Sequence, residues 1–382
     1  MIRVLQVIGT TNVGGAETRV LEFAATLNSS EYHLDFCAFG PDPGAYDDRI
    51  RGLGFGITHC RVTRNILESS ERFRLLLRDG RYDIIHCHVN HLSGIHLRAA
   101  AKEGVPLRIQ HWRGANSPRP GVYWHWASKL LMAWTRRYAT RIVAVSEGAM
   151  EAYMGAEWQR DPRATILYNG IDPQPFLVRY DRAETLSEFG IPLAAHVVIH
   201  VGSFLPAKNH EMLISVVQSV AERHGSVHFL LVGDGPLFGR IRSRVTDGGL
   251  EGSVHFAGLR RDVPRLLQAS DCLLLPSKSE GLPGAVLEAL AAGLPVVASD
   301  IGPLREIARE SERVSLVPPG DAAAFADGVL TALAGQGNHT SRTGSIPPKF
   351  RFGMYVERML GLYESRLLPS DRARRTPDRR SA

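Results

Sequence analysis

The sequence predicts an α/β protein built from two doubly wound domains, and three observations support that class. Short β-branched and apolar runs alternate with amphipathic stretches, the pattern of a parallel sheet covered by helices on both faces. The pattern runs in two series, separated by the turn formers Asn169-Gly170-Ile171-Asp172-Pro173-Gln174-Pro175. The 382 residues also suffice for two or three hydrophobic cores.

The first series opens with the strand-like run Ile2 to Ile8 and a helical pattern from Ala16 to Leu27. Further strand-like runs follow at Leu34 to Phe39, Asp83 to His88, Leu107 to His111 and Arg141 to Val145. The second comprises His196 to Gly202, Val227 to Gly233, Val254 to Ala257, Cys272 to Pro276, Pro295 to Ser299 and Val314 to Val317, each trailed by a helical pattern. After a polar stretch from Gly335 to Pro348, the segment Phe350 to Leu362 spaces its apolar residues by three and four. It has a face to bury and no obvious partner in the sequence. The expected division is a first domain over 1–175, a second over 176–348, a C-terminal helix over 349–367 that crosses back to the first domain, and a basic disordered tail over 368–382.

With 44% hydrophobic and 22% charged residues, the composition excludes a disordered chain. The net charge of +6 is concentrated: residues 366–382 hold six arginines against two aspartates. A solvated terminus is the ordinary reading of such a tail, and attraction to anionic lipid is the alternative; nucleic acid is not an expected partner. Cys37, Cys60, Cys87 and Cys272 lack CxxC spacing and read as reduced thiols. No signal peptide is evident and no apolar run approaches the ~20 residues that span a bilayer, so a cytoplasmic location is expected.

Chemistry concentrates at a few strand-to-helix turns. Gly14 and Gly15 lie in a glycine-bearing turn after the first strand, where backbone amides and a helix N-terminus can approach an anion; a tight turn without a ligand is the competing reading. The turn has neither dinucleotide nor P-loop spacing. In the second series, Pro276 to Ala289 joins an apolar strand to a small-residue helix through a loop that carries Glu280, with Glu288 eight residues further on, about one turn or more inside the helix. Carboxylates of this kind accept hydrogen bonds from vicinal sugar hydroxyls, while the amides of Gly284 and Ala285 can face a phosphate. Read singly, Glu280 is a solvated loop acid and Glu288 an exposed helix residue.

Taken as a set, Gly14-Gly15-Ala16-Glu17, Asn169-Gly170-Ile171-Asp172, Val201-Gly202 with Lys208-Asn209, Val232-Gly233-Asp234-Gly235-Pro236, Ala257-Gly258-Leu259 and Glu280-x7-Glu288 resemble, in order and spacing, the GT4-type retaining glycosyltransferases of the GT-B fold. The likeness extends to about Leu367, and the branch it most resembles builds exopolysaccharide or lipopolysaccharide. It implies two facing Rossmann-like domains with the site in the cleft between them. Glu280 would hold donor-sugar hydroxyls, Glu288 the ribose hydroxyls, and Lys208 with the Gly14 and Gly15 amides the diphosphate. Gly233 would line the same pocket, and the backbone at Gly258 and Leu259 would read the base, uridine by family habit with guanosine as the alternative. Where the family commonly places an arginine after the strand glycine, this chain has Ser203, and Arg260 or Arg261 is a candidate substitute.

The resemblance also sets His111 opposite the reacting sugar; a buried structural histidine is the alternative. His88, Trp112, Trp124 and Trp126 are the candidates for the acceptor side, since four of the five tryptophans fall between His111 and Tyr138 among cations. Such a segment suits a lipid-linked acceptor or peripheral contact with an anionic membrane on its inner face, or else a helix packed beneath the sheet. His86 and His88 alternate on one strand face, yet no third metal ligand follows at suitable spacing and no Asp-x-Asp triplet occurs, so no cofactor and no metal is expected. The implied reaction is transfer from a nucleotide-diphosphate sugar to a hydroxyl of a glycan or lipid-linked acceptor. A nucleotide-sugar epimerase and a silent nucleotide-sugar binding protein are the alternatives.

Overall fold

The computed structural model describes residues 1–12, 14–40, 43–60, 66–114, 122–335 and 343–365, the side chains of 66–69 and 122–124 excepted. The chain divides into two compact units, one of residues 1–168 with the segment from Met354, the other of residues 169–353. The basic tail lies outside the described residues.

The N-terminal unit holds a seven-stranded parallel sheet: β1 (Ile2–Ile8), β2 (Tyr32–Ala38), β3 (Gly56–His59), β4 (Ile84–Cys87), β5 (Leu107–Trp112), β6 (Arg141–Ala144) and β7 (Ala164–Ile166), in the order β3-β2-β1-β4-β5-β6-β7. Two of these strands, β3 and β7, are absent from the reading above. Both are edge strands of four and three residues without a run of buried side chains. Their apolar signal is therefore too short to register. Central β4, by contrast, is buried at every position, as a strand covered on both faces requires.

The helix Phe352–Glu364 finds its partner in this unit. Tyr355, Met359 and Tyr363, four residues apart, form its buried stripe, and the two tyrosine rings meet Phe23 edge-on at 6.0 and 5.7 Å. Such side chains contribute about 2 kcal/mol each on burial, which holds the chain's return against its first helix.

The C-terminal unit holds β8 (His196–Val201), β9 (Val227–Val232), β10 (Val254–Gly258), β11 (Cys272–Leu275), β12 (Val296–Ser299) and β13 (Val314–Val317), all parallel in the order β10-β9-β8-β11-β12-β13. Its core joins Val198, Phe229, Leu274 and Val297 of the sheet to Leu213, Val217, Phe325 and Val329 of the covering helices. Gly170 allows the segment 350–352 to pass: a Cβ there would lie 2.6 Å from the Arg351 carbonyl oxygen. Ile171 pairs with that segment, donating to Phe350 O at 3.0 Å and accepting from Phe352 N at 3.0 Å.

Each sheet reverses its strand order once, between β1 and β4 and between β8 and β11. Open α/β sheets bind ligands beyond the carboxyl ends of the strands at such points.

Candidate active site

At the β8/β11 reversal, two loops are stapled together. Gly202 follows β8, and the chain makes a single 3₁₀ turn at Pro206–Lys208 that ends on Asn209 with φ +56. The Asn209 side-chain amide donates to Pro276 O at 3.1 Å, and Lys278 N donates to Ala207 O at 2.8 Å, which ties the β8 and β11 loops together. Across that staple Lys208 Nζ donates to Glu280 Oε1 at 2.7 Å, and Ser277 Oγ donates to the same oxygen at 2.7 Å. The pair is largely buried, with side chains 18% and 9% exposed. Glu280 Oε2 has no partner among the described residues, which leaves an acceptor for a ligand hydroxyl.

The neighbouring strand ends are tied in series. Gly202 N donates to Val232 O at 2.9 Å and Gly233 N to Gly258 O at 2.8 Å. Gly233 sits at φ +134, and a Cβ there would strike the Gly202 carbonyl. Gly258, at φ +66, turns the backbone toward Leu259, which is 68% exposed. The helix Gly284–Ala291 starts at Pro283 without a side-chain cap, and Glu288 lies one turn in on the face of Gly284, its Oε1 3.8 Å from where a Gly284 Cβ would stand. Lys208, Glu280, Gly284, Ala285 and Glu288 thus belong to one loop-and-helix assembly. Ser203 is exposed beside it. Arg260 is not a free substitute for the missing arginine, because Glu188 and Asp262 hold its guanidinium and raise its pKa.

In the N-terminal unit, Gly14 precedes the helix Gly15–Ala25 and has no side-chain cap of its own. Glu17 fills that place instead: a Cβ at Gly14 would collide with its carboxylate. Burial raises the Glu17 pKa, opposed by a backbone hydrogen bond and by the Arg113 charge.

The β1/β4 reversal carries a buried polar cluster. His86 on β4, His88 just beyond it and His111 on β5 bring ligand atoms within 4.8 Å of one another. The expectation that no third histidine comes within reach is therefore overturned, because β5 pairs with β4 and supplies His111. Five of the six ring nitrogens are already hydrogen-bonded. His86 Nε2 meets His111 Nδ1 at 3.1 Å, His86 Nδ1 meets the Tyr363 hydroxyl at 3.0 Å, His88 Nε2 meets Gln6 Oε1 at 2.9 Å, and Arg113 Nε donates to His88 Nδ1 at 3.1 Å. Only His111 Nε2 has no partner. A donor set so committed, with a guanidinium against one member, is a poor cation site as it stands. Burial, helped by the Arg113 charge, holds all three histidines well below the usual imidazole pKa.

Among the tryptophans, Trp112 is a correction to the acceptor side. It is fully buried and stacks on Tyr153 at 3.9 Å, so its ring faces are occupied by the core. Trp126 is 66% exposed on the helix Val122–Tyr138, with Lys129 over its ring at 5.1 Å. The side chain of Trp124 lies outside the described residues. Sequence reasoning assigned no role to Gln6, Arg113 or Tyr363. The signal available for Gln6 was a carboxamide inside the apolar run of β1, a polar residue where burial is costly unless it is paired.

Comparison with known proteins gives the family. Residues 13–175 match the family described as Glycosyltransferase Family 4, and residues 195–335 match Glycosyl transferases group 1. The chain is 31% identical over 315 residues to a putative glycosyltransferase, EpsF, of Bacillus subtilis, covering 78% of this chain and 79% of that one. It is 29% identical over 276 residues, 69% of each chain, to the Escherichia coli UDP-Gal:alpha-D-GlcNAc-diphosphoundecaprenol alpha-1,3-galactosyltransferase. Among solved structures, Anabaena HepE in complex with UDP superposes with a TM-score of 0.78 at 20% identity, over 95% of this chain and all of that one. The fold is that of the GT-B enzymes, and the chain belongs to the GT4-type glycosyltransferases.

Proposed function

We propose that the protein moves a sugar from a UDP-sugar to a hydroxyl of a glycan or lipid-linked acceptor during assembly of a cell-surface polysaccharide, with retention at the anomeric carbon and without a metal ion. The observation that carries this reading is the Lys208–Glu280–Ser277 cluster beside the uncapped start of the helix Gly284–Ala291. A diphosphate draws the Lys208 ammonium away from Glu280 and takes the Gly284 and Ala285 amides, so that one displacement frees a carboxylate for sugar hydroxyls. Glu288 accepts from the ribose hydroxyls, and the Gly258 and Leu259 backbone meets the base. In the N-terminal unit, His111 is assigned to the reacting sugar. The bond from the anomeric carbon to the diphosphate oxygen breaks, the acceptor oxygen bonds to that carbon from the same face, and the acceptor proton passes to the departing phosphate oxygen.

The donor assignment draws on the uridine donor in the Escherichia coli relative's name and on the UDP complexes of HepE. The acceptor class draws on relatives named for capsular polysaccharide and lipopolysaccharide core synthesis. No helix among the described residues is long and apolar enough to cross a membrane. For contact with an anionic membrane surface we rely on the exposed stripe of Trp126, Lys129, Leu130 and Arg137. The test is transfer from UDP-galactose, UDP-glucose, UDP-N-acetylglucosamine and GDP-mannose to undecaprenyl-diphosphate sugars, with and without EDTA, and NMR of the product's anomeric proton. The expected result is an α-linked product from a UDP-sugar at an unchanged rate in EDTA. Donor epimerisation without transfer, or activity lost with EDTA and restored by a divalent ion, defeats the corresponding part of the proposal.

A further inference from the structure

The polar cluster at the β1/β4 reversal is a hydrogen-bond line with a direction. An arginine side chain can only donate, so the Arg113 Nε–H on His88 Nδ1 makes that nitrogen an acceptor. A neutral imidazole then has its hydrogen on the other nitrogen, and His88 Nε2–H donates to Gln6 Oε1 at 2.9 Å. This fixes which end of the Gln6 amide is oxygen, and its NH₂ end donates to the Tyr363 oxygen at 2.7 Å. The Tyr363 hydroxyl hydrogen has one acceptor within reach among the described residues, His86 Nδ1 at 3.0 Å. His86 therefore carries its hydrogen on Nε2 and donates to His111 Nδ1 at 3.1 Å. The last ring in the line has its hydrogen on Nε2, the one buried nitrogen of the three rings without a partner.

We propose that Arg113, acting through His88, Gln6, Tyr363 and His86, locks His111 as the Nε2–H tautomer, so that His111 meets its ligand only as a hydrogen-bond donor. Gln6, His86 and Tyr363 are then positioning residues. The group His111 recognises is an oxygen lone pair of the sugar, a hydroxyl or carbonyl oxygen, and His111 takes no part as a base toward the acceptor hydroxyl. The opposite direction would place a hydrogen on His88 Nδ1 facing the Arg113 donor, leaving two donors nose to nose in a buried site. Threading the line through Tyr363 also explains a hydroxyl at a position where the Phe23 contact alone calls only for a ring. The proposal rests on the reading of His111 as a sugar contact for its ligand, but the tautomer does not.

The experiment is long-range proton–nitrogen NMR of the imidazole rings in histidine-labelled full-length protein near pH 7.5, without substrate. His86, His88 and His111 are each expected to show a protonated Nε2 and a bare Nδ1. Tyr363→Phe keeps the ring and removes the hydroxyl; His111 should then populate both tautomers, and kcat should fall about tenfold with the nucleotide-sugar KM within twofold. A hydrogen on Nδ1 of His111, an imidazolium there, or a Tyr363→Phe protein with the wild-type ring pattern and wild-type kcat overturns the proposal. If Tyr363→Phe does not fold, the wild-type spectrum alone decides. If the three Nε2–H rings are found and no nucleotide sugar is turned over, the line stands and the assignment of the site to glycosyl transfer falls.

Discussion

The two strand reversals solve different problems with the same topology. At the β8/β11 reversal a charged pair, Lys208 and Glu280, sits on loops beyond the strands, each partner satisfying the other until something displaces it. At the β1/β4 reversal neutral rings lie on the strands and at their ends, satisfying one another in a line with a single open end. On the proposed function the first opens, because exchanging one ionic partner for another costs little when the incoming group is also charged. The second is built to stay closed, because any member removed strands a buried polar atom. The lesson is that a doubly wound sheet places its site by topology, while loop charge or strand polarity decides how rigid that site is.

The largest expected effect tests the openable pair. Glu280→Gln and Lys208→Ala should each lower kcat/KM for transfer by about 100-fold or more, the loss of one charge-assisted contact in a site that excludes water. Undiminished transfer in the glutamine variant would break the comparison at once. Next is Gly233→Ala, whose Cβ cannot fit against the Gly202 carbonyl and whose φ of +134 suits glycine alone. It should destabilise the protein by about 3 kcal/mol in urea titrations, whereas Gly239→Ala, with nothing near its Cβ, should raise or leave the midpoint.

Acid should weaken both regions, and more gently. The buried histidines have folded pKa values below the unfolded value near 6.5, with His96 and His210 at about 4 and His200 at about 3. The unfolded chain therefore takes up protons that the fold refuses. Stability is complete above about pH 6.5 and is lost progressively as pH falls toward the folded values, by up to about 1.4 kcal/mol per pH unit for each such group. His86, His88, His96 and His111 lie in the N-terminal unit and His200, His210, His228 and His255 in the C-terminal unit, with His200 Nδ1 against Leu274 O of β11 at 2.9 Å, so amides of β4, β5 and β11 should all lose hydrogen-exchange protection on acidification. Equal protection at pH 7 and pH 5 would contradict this. The smallest stability effect belongs to Trp126→Ala with Leu130→Ala. Flotation with anionic vesicles should drop severalfold while Tm stays within experimental scatter, since both side chains are exposed.

Much of this was legible in the sequence wherever the signal was local. The central strands announce themselves as apolar runs, and the loop holding Glu280 stands out by its glycines, proline and acid. What was not legible depends on distance along the chain. Lys208 and Glu280 meet across 72 residues, His86 and His111 across 25, and Gln6 and Tyr363 across 357. No spacing rule reaches so far, and the third histidine was missed because adjacency of strands, not of residues, delivers it. Strands β3 and β7 escaped for the opposite reason, being too short for any period to show. Trp112 misled because tryptophan density on one segment says nothing about which rings turn inward.

The helix that ends the described fold has a consequence for synthesis. Tyr363 is the middle link between Gln6 and His86, so the amide carried by β1 is satisfied only once a residue 357 positions further along the chain has docked. A nascent chain that stops short of this helix would carry every loop of the C-terminal unit and still leave the histidine rings of the N-terminal unit without the Tyr363 hydroxyl that links Gln6 to His86. Docking of the helix Phe352–Glu364 would then complete the hydrogen-bond line of the N-terminal unit.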